Sequence, residues 1–215
     1  MVRCGRPMRF VHRLPGRYRF GHGQRTNPMS KRDAQRQRAL QRIGEHLLAK
    51  GLGQSSLRQL ADAAAVSDRM LLYYFTDKED VVAAALAHIV AALNAGLDQA
   101  IPAEPLLPPQ ILLQRATAII AGPEMRPLMR LWVEIVGGAA RGEAPYDRFA
   151  REISADFLQW IESRLAMPPG PPRAATAAFI FAAVDGLALV DICVGEDTVQ
   201  AALGAVNAMF SGTDR

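Results

Sequence analysis

Three helix starts fall within 21 residues of this chain, at Ser56, Ser67 and Thr76. Each is a local physical signature. Ser56 followed by Gln59 is a capping box: the hydroxyl accepts from the third backbone N–H and the glutamine reaches back to the cap. Ser67 is a second N-cap, with Val66 before it and Leu71 four residues after it placed as a hydrophobic staple. Thr76 and Glu79 make a third box, T-D-K-E. Between the starts, Leu57, Leu60, Ala61 and Ala64 recur at helical spacing and form an inward face. Ala63, Ala64 and Ala65 are small enough for helices to approach closely. Short helices joined by tight turns in this order have the layout of a helix-turn-helix.

The flanking sequence is helical as well. A first helix is predicted from about Lys31 to Lys50, with Leu40, Ile43 and Leu47 as its buried stripe and Gly51 and Gly53 ending it. Its other face carries Lys31, Arg32, Arg36, Arg38 and Arg42, either as an ordinary solvated face or as a surface near phosphate. After Lys78, helical patterns are separated by Pro- and Gly-rich breakers at 104–109, 137–145 and 167–172. Met125, Leu128, Met129, Trp132, Val133 and Val136 make a helix that is apolar almost all round, which predicts deep burial. Phe149, Ile153, Phe157, Trp160 and Ile161 form a cleaner stripe. The last two helices are expected at about Arg173–Val194 and Asp197–Phe210, with Asp197 as cap and Gln200 three residues on. Val199, Ala202, Leu203, Val206, Met209 and Phe210 supply the apolar face of the second. The fold class is therefore all-α, with an N-terminal three-helix domain at 31–93 and a helical domain at 94–215.

Charge divides the chain along the same line. The net charge of +4 combines a basic N-terminal end with an acidic remainder after residue 80, so the N-terminal end would meet phosphate. Residues 1–30 hold seven Arg and no acid, with no hydrophobic periodicity and no apolar stretch of a secretory signal. They read as a basic arm on DNA, as a solvated tail, or as sequence upstream of a true start at Met29, and we favour the last. Cys4 and Cys193 sit in unrelated contexts, so a disulfide is not expected and a reduced cytoplasmic setting is the default. Ala174–Val194 is the longest apolar run; Asp185 and Asp191 interrupt it, and no membrane partner is expected. No Cys-x-x-Cys pair, His-rich metal spacing, phosphate-cradling Gly loop or nucleophile elbow is present, so the chain does not read as an enzyme and no metal or cofactor is expected.

The residues Ser56, Leu60-Ala61, Ala64-Ala65-Val66-Ser67, Leu72-Tyr73-Tyr74-Phe75 and Lys78-Glu79 together resemble the DNA-binding domain of the TetR family of bacterial regulators, across about Asp33 to Leu93. Ala65 stands where that family usually has a turn glycine, Arg69 and Met70 where a small residue and Thr are common, and Leu72 where the first aromatic falls. These departures concern the operator more than the fold. The N-terminal residues of a recognition helix reach base edges, which makes Ser67, Asp68, Arg69 and Met70 candidates. Arg69 either bonds guanine bidentately or contacts phosphate only. Lys78 is poorly placed for helix stability at a helix start but well placed to meet a phosphate at the free backbone N–H groups. Ser56 and Arg58 are further phosphate candidates. The resemblance places Tyr73 on the DNA backbone and Tyr74 beside it; a core role is the alternative for both. Phe75 is assigned to the core.

The resemblance also implies a ligand-responsive repressor: a homodimer through the last two helices, a palindromic double-stranded operator, and release by a small-molecule effector. Candidate pocket walls are Met125, Met129, Trp132, Phe157, Trp160 and Phe179, with His88, Glu134 and Asp185 as polar contacts. Plain core packing is the competing reading for each, and a place at the dimer interface is a further one for Asp185. Cys193 reads as a small buried residue. The alternative for the whole chain is a helical small-molecule-binding or protein-interaction module that no longer reads DNA.

Overall fold

The computed structural model describes residues 30–53 and 55–211. The basic segment before Ser30, with Cys4 and the expected start at Met29, lies outside the described residues, as do the side chains of Met209 and Phe210. The described chain forms nine α-helices: α1 Lys31–Lys50, α2 Leu57–Ala64, α3 Asp68–Tyr74, α4 Lys78–Ala100, α5 Pro109–Ile120, α6 Arg126–Ala140, α7 Tyr146–Glu162, α8 Pro171–Cys193 and α9 Glu196–Ser211. A short 3-10 turn, Pro123–Met125, leads into α6. Among the described residues the sole β contact is an isolated bridge between Leu107 and Leu165.

The caps explain most of the helix starts. The Ser30 hydroxyl accepts from the Asp33 N–H at 3.1 Å and opens α1. At α2 both halves of the Ser56–Gln59 box are formed. At α3 the Ser67 hydroxyl accepts from the Met70 N–H at 3.2 Å. The third start is shifted from the expected Thr76 box. Asp77 is the cap and accepts from the Asp80 N–H at 2.8 Å. Thr76 instead donates to the Asp80 carboxylate through both its N–H and its hydroxyl. A carboxylate three residues beyond Asp77 serves the box better than Glu79, because Asp80 is also within reach of Thr76. Likewise, α9 begins at Glu196, which puts Asp197 inside the first turn rather than at the cap.

One hydrophobic core joins α1 to α4 with Leu131 and Ile135 of α6 and Phe149 of α7. Leu40, Ile43 and Leu47 of α1, Leu60 and Ala61 of α2, Leu71 of α3 and Phe75 are all buried in it. The expected domain boundary near Leu93 falls inside α4, which runs unbroken through it. A second core packs α5, α7 and α8 around Leu112, Trp160, Leu165 and Ile180. Val136 on α6 is exposed along with Arg130 and Glu134, so that helix is buried on one side only, through Met129, Leu131, Ile135 and Gly138. Two glycines permit close helix crossings. A Cβ at Gly138 would lie 2.4 Å from the Tyr146 ring, and one at Gly44 would meet Ile89 at 3.3 Å.

By length and hydropathy α4 and α8 are each apolar enough to cross a bilayer, contrary to the expectation that Asp185 and Asp191 disqualify α8. In α4 the buried residues Val81 to Ile89 belong to the first core. In α8 the outward face is apolar: Phe179 is 63 % exposed, Leu189 48 % and Ile192 40 %. Cys193 is exposed and free, not buried as expected.

Candidate nucleic-acid interface and interior cavity

The helix-turn-helix is held from below by apolar residues and from the side by α1. Leu71 anchors α3 in the core, while Asp68, Arg69, Met70, Leu72 and Tyr73 face solvent. Tyr73 is 59 % exposed, and the Arg32 guanidinium lies 4.6 Å from its ring centre. Tyr74 is half-buried and its hydroxyl donates to Gln35 of α1 at 3.0 Å. The Arg36 guanidinium lies 4.8 Å from the centre of the buried Phe75 ring. These α1 contacts escaped sequence reasoning because a periodicity shows which face is polar, not which neighbour it meets. Arg42, also exposed, donates to the Ala64 carbonyl at 3.3 Å at the C-terminus of α2. The turn itself passes through Ala65 at φ 55°, where its N–H bonds back to the Ala61 and Asp62 carbonyls.

Ser56, Arg58, Ser67, Asp68, Arg69, Met70, Tyr73 and Lys78 are exposed, and they lie on the elements that bracket the turn. Lys78 is the first residue of α4, beside the N–H groups of that helix start. The Ser56 hydroxyl is already engaged, donating to Gln59 at 2.7 Å and accepting from its N–H. Leu72, one of the departures from the family pattern, is exposed on α3 together with Met70 and gives that helix an apolar outward component.

Behind this domain lies a cavity with about 890 Å³ of empty space, mouth included. Leu86, Ile89 and Leu93 of α4 form one wall, Met129, Trp132 and Ile135 of α6 another, and Phe157 and Trp160 of α7 a third. Met125 and Ile119 line it as well, and α8 contributes Phe181, Val184 and Asp185. Burial pushes the Asp185 carboxyl up, and the Trp132 indole N–H opposes that. Three expected pocket residues lie elsewhere. Phe179 points outward; it is two residues, about 200° of helix, from Phe181, which takes the inward place. His88 is half-buried on α4 beside Gly44 of α1. Glu134 accepts from the Leu52 N–H at 2.7 Å, tying α6 to the turn between α1 and α2. Gly51 makes that tie possible: it sits at φ 76°, and a Cβ there would lie 2.1 Å from the Glu134 carboxylate.

A second polar joint links the same regions, with Arg148 of α7 3.5 Å from Glu79 of α4. At the far side Arg126 bridges Asp191 at 2.8 Å and Glu196 at 2.9 Å, holding the start of α6 to α8 and α9. Among the described residues no three His, Cys, Asp or Glu side chains gather where a metal could be held.

An all-helical chain with a solvent-facing helix-turn-helix set against a second helical layer with an apolar cavity has the architecture of a one-component DNA-binding regulator. Residues 44–85 match the family model described as bacterial regulatory proteins, tetR family. That match places the family's DNA-binding motif at residues 44–85, and the described chain has the fold of solved TetR-family regulators. A transcriptional regulator from a Rhodococcus species superposes with a TM-score of 0.64 at 22 % identity, covering 80 % of this chain and 94 % of that one. FadR from Bacillus subtilis, solved in complex with stearoyl-CoA, gives 0.57 at 14 % identity over 80 % and 97 %. The multidrug binding protein EbrR, complexed with proflavin, gives 0.53 at 22 % identity over 80 % and 99 %. No curated protein sequence shows significant similarity to the chain.

Proposed function

We propose that this TetR-type regulator is a cytoplasmic, ligand-responsive repressor. It binds a palindromic operator as a homodimer and leaves it when a small molecule fills the cavity. The observation that carries this reading is a single continuous structure linking the cavity to the reading head. Helix α4 lines the cavity with Leu86, Ile89 and Leu93 and begins at Lys78 beside α3. Helix α6 lines it with Met129 and Trp132 and grips the α1–α2 turn through Glu134. A ligand that fits the cavity better in one arrangement of these helices than in another shifts the DNA-competent population by that difference. The solved complexes of FadR with stearoyl-CoA and EbrR with proflavin support a ligand-binding role for this layer of the fold.

In this reading Arg69 and Met70 reach base edges, Ser67 and Asp68 set the approach of α3, and Ser56, Arg58, Tyr73, Tyr74 and Lys78 address the backbone. The outward apolar face of α8, with Phe179 and Leu189, together with the exposed small residues Ala201, Gly204 and Ala205 of α9, pairs with the same face of a second copy. That pairing, rather than a bilayer, covers the apolar length of α8. Selection of bound sequences from a random duplex pool tests the reading. Two inverted half-sites about one helical turn apart are expected. Recovery of no common sequence would favour the alternative module that does not read DNA.

A further inference from the structure

Asp185 is the one ionisable side chain among the described residues lining the cavity; every other lining residue is apolar or a tryptophan. Among the described residues no Lys, Arg or His forms an ion pair with it. A carboxylate held in apolar surroundings without a cation is costly, and pairing relieves that cost. The Trp132 indole N–H offers partial relief and no charge. The cavity that holds Asp185 is also lined by Trp132, Phe157 and Phe181, and aromatic ring faces attract cations. The cavity offers an anionic ligand nothing: no described lining residue carries positive charge, and Asp185 would repel it.

We propose that the cavity takes a hydrophobic organic cation, with the Asp185 carboxylate as counter-ion and the aromatic walls packed on the cationic centre. This rests on the cavity being the effector site, and it names the chemistry that the site selects. The test is isothermal titration calorimetry of the full chain, without DNA, against decyltrimethylammonium, 1-decanol and decanoate. Wild type should bind the ammonium about tenfold more tightly than the alcohol, and the carboxylate most weakly. Asp185→Asn should erase the ammonium's advantage over decanol, while Asp185→Glu should keep that advantage. Preference of wild type for decanoate or decanol, no binding of the ammonium, or an unchanged preference in Asp185→Asn would overturn the proposal. The effector reading is judged separately, by adding each compound to a preformed DNA complex. An ammonium that binds through Asp185 without changing DNA affinity sustains the counter-ion and removes the effector role. Release of DNA by decanol alone does the reverse.

Discussion

Ala65 occupies the turn between α2 and α3 in the left-handed region, at φ 55°. An L side chain there costs roughly 1–2 kcal/mol, and glycine avoids the strain at some cost in unfolded-chain entropy. Ala65→Gly should therefore raise stability by about 0.5–1 kcal/mol in urea denaturation, with no change at the exposed residues of α3. Lys78 and Arg69 predict a split in binding. Lys78→Ala should weaken affinity for all sequences alike and reduce the salt slope by about one unit, while Arg69→Ala should relax sequence preference. Anisotropy titrations on specific and scrambled duplexes at several salt concentrations read both. At this scale the sequence was most legible where interactions are local. Ser56 and Ser67 cap as their spacing dictates because donor and acceptor lie within one turn. Thr76 was misread because Asp77 competes with it, and the position of the Asp80 carboxylate decides between them.

Helix limits were legible from periodicity and breakers, whereas helix neighbours were not. A stripe shows that a face is buried without saying against what. Glu134 therefore passed for a cavity residue, though it bonds to the Leu52 N–H from across the domain junction. Glu134→Ala leaves that N–H unpaired, and urea titration should show a loss of about 1–2 kcal/mol. Rotation within a helix was equally hidden: α8 is apolar on both faces, so nothing in its pattern separates Phe179 from Phe181. On α7, burial and then the nearby Glu152 push the Asp156 carboxyl up to about 6, and one of its oxygens is buried without a partner. The folded protein thus holds this proton more tightly than the unfolded chain does. The resulting stabilisation is present below the unfolded value of 3.8 and is lost as pH rises through about 6. Asp156→Asn should raise stability near neutral pH by about 1 kcal/mol, after discounting for its half-exposed position, and gain little near pH 4. Urea midpoints at the two pH values check this.

For the whole molecule, the charge division and the helical layout in the sequence set a basic helix-turn-helix end apart from an acidic helical remainder. The two are not separate bodies: α4 spans the junction and the first core draws on α6 and α7. The same continuity would let a ligand move the reading head. Pairing through α8 and α9 predicts that Phe179→Glu yields a monomer in sedimentation, because two copies of the charge would meet across a two-fold axis. A folded monomer should then lose operator affinity, since one half-site remains engaged instead of two. The most direct test of the central claim is fluorescence anisotropy of the full chain on the duplex upstream of its own gene, at two salt concentrations, with a scrambled duplex as control. The account predicts tight binding to that duplex, selective over the control, that weakens steeply as salt rises. Equal, weak binding to both duplexes would contradict it.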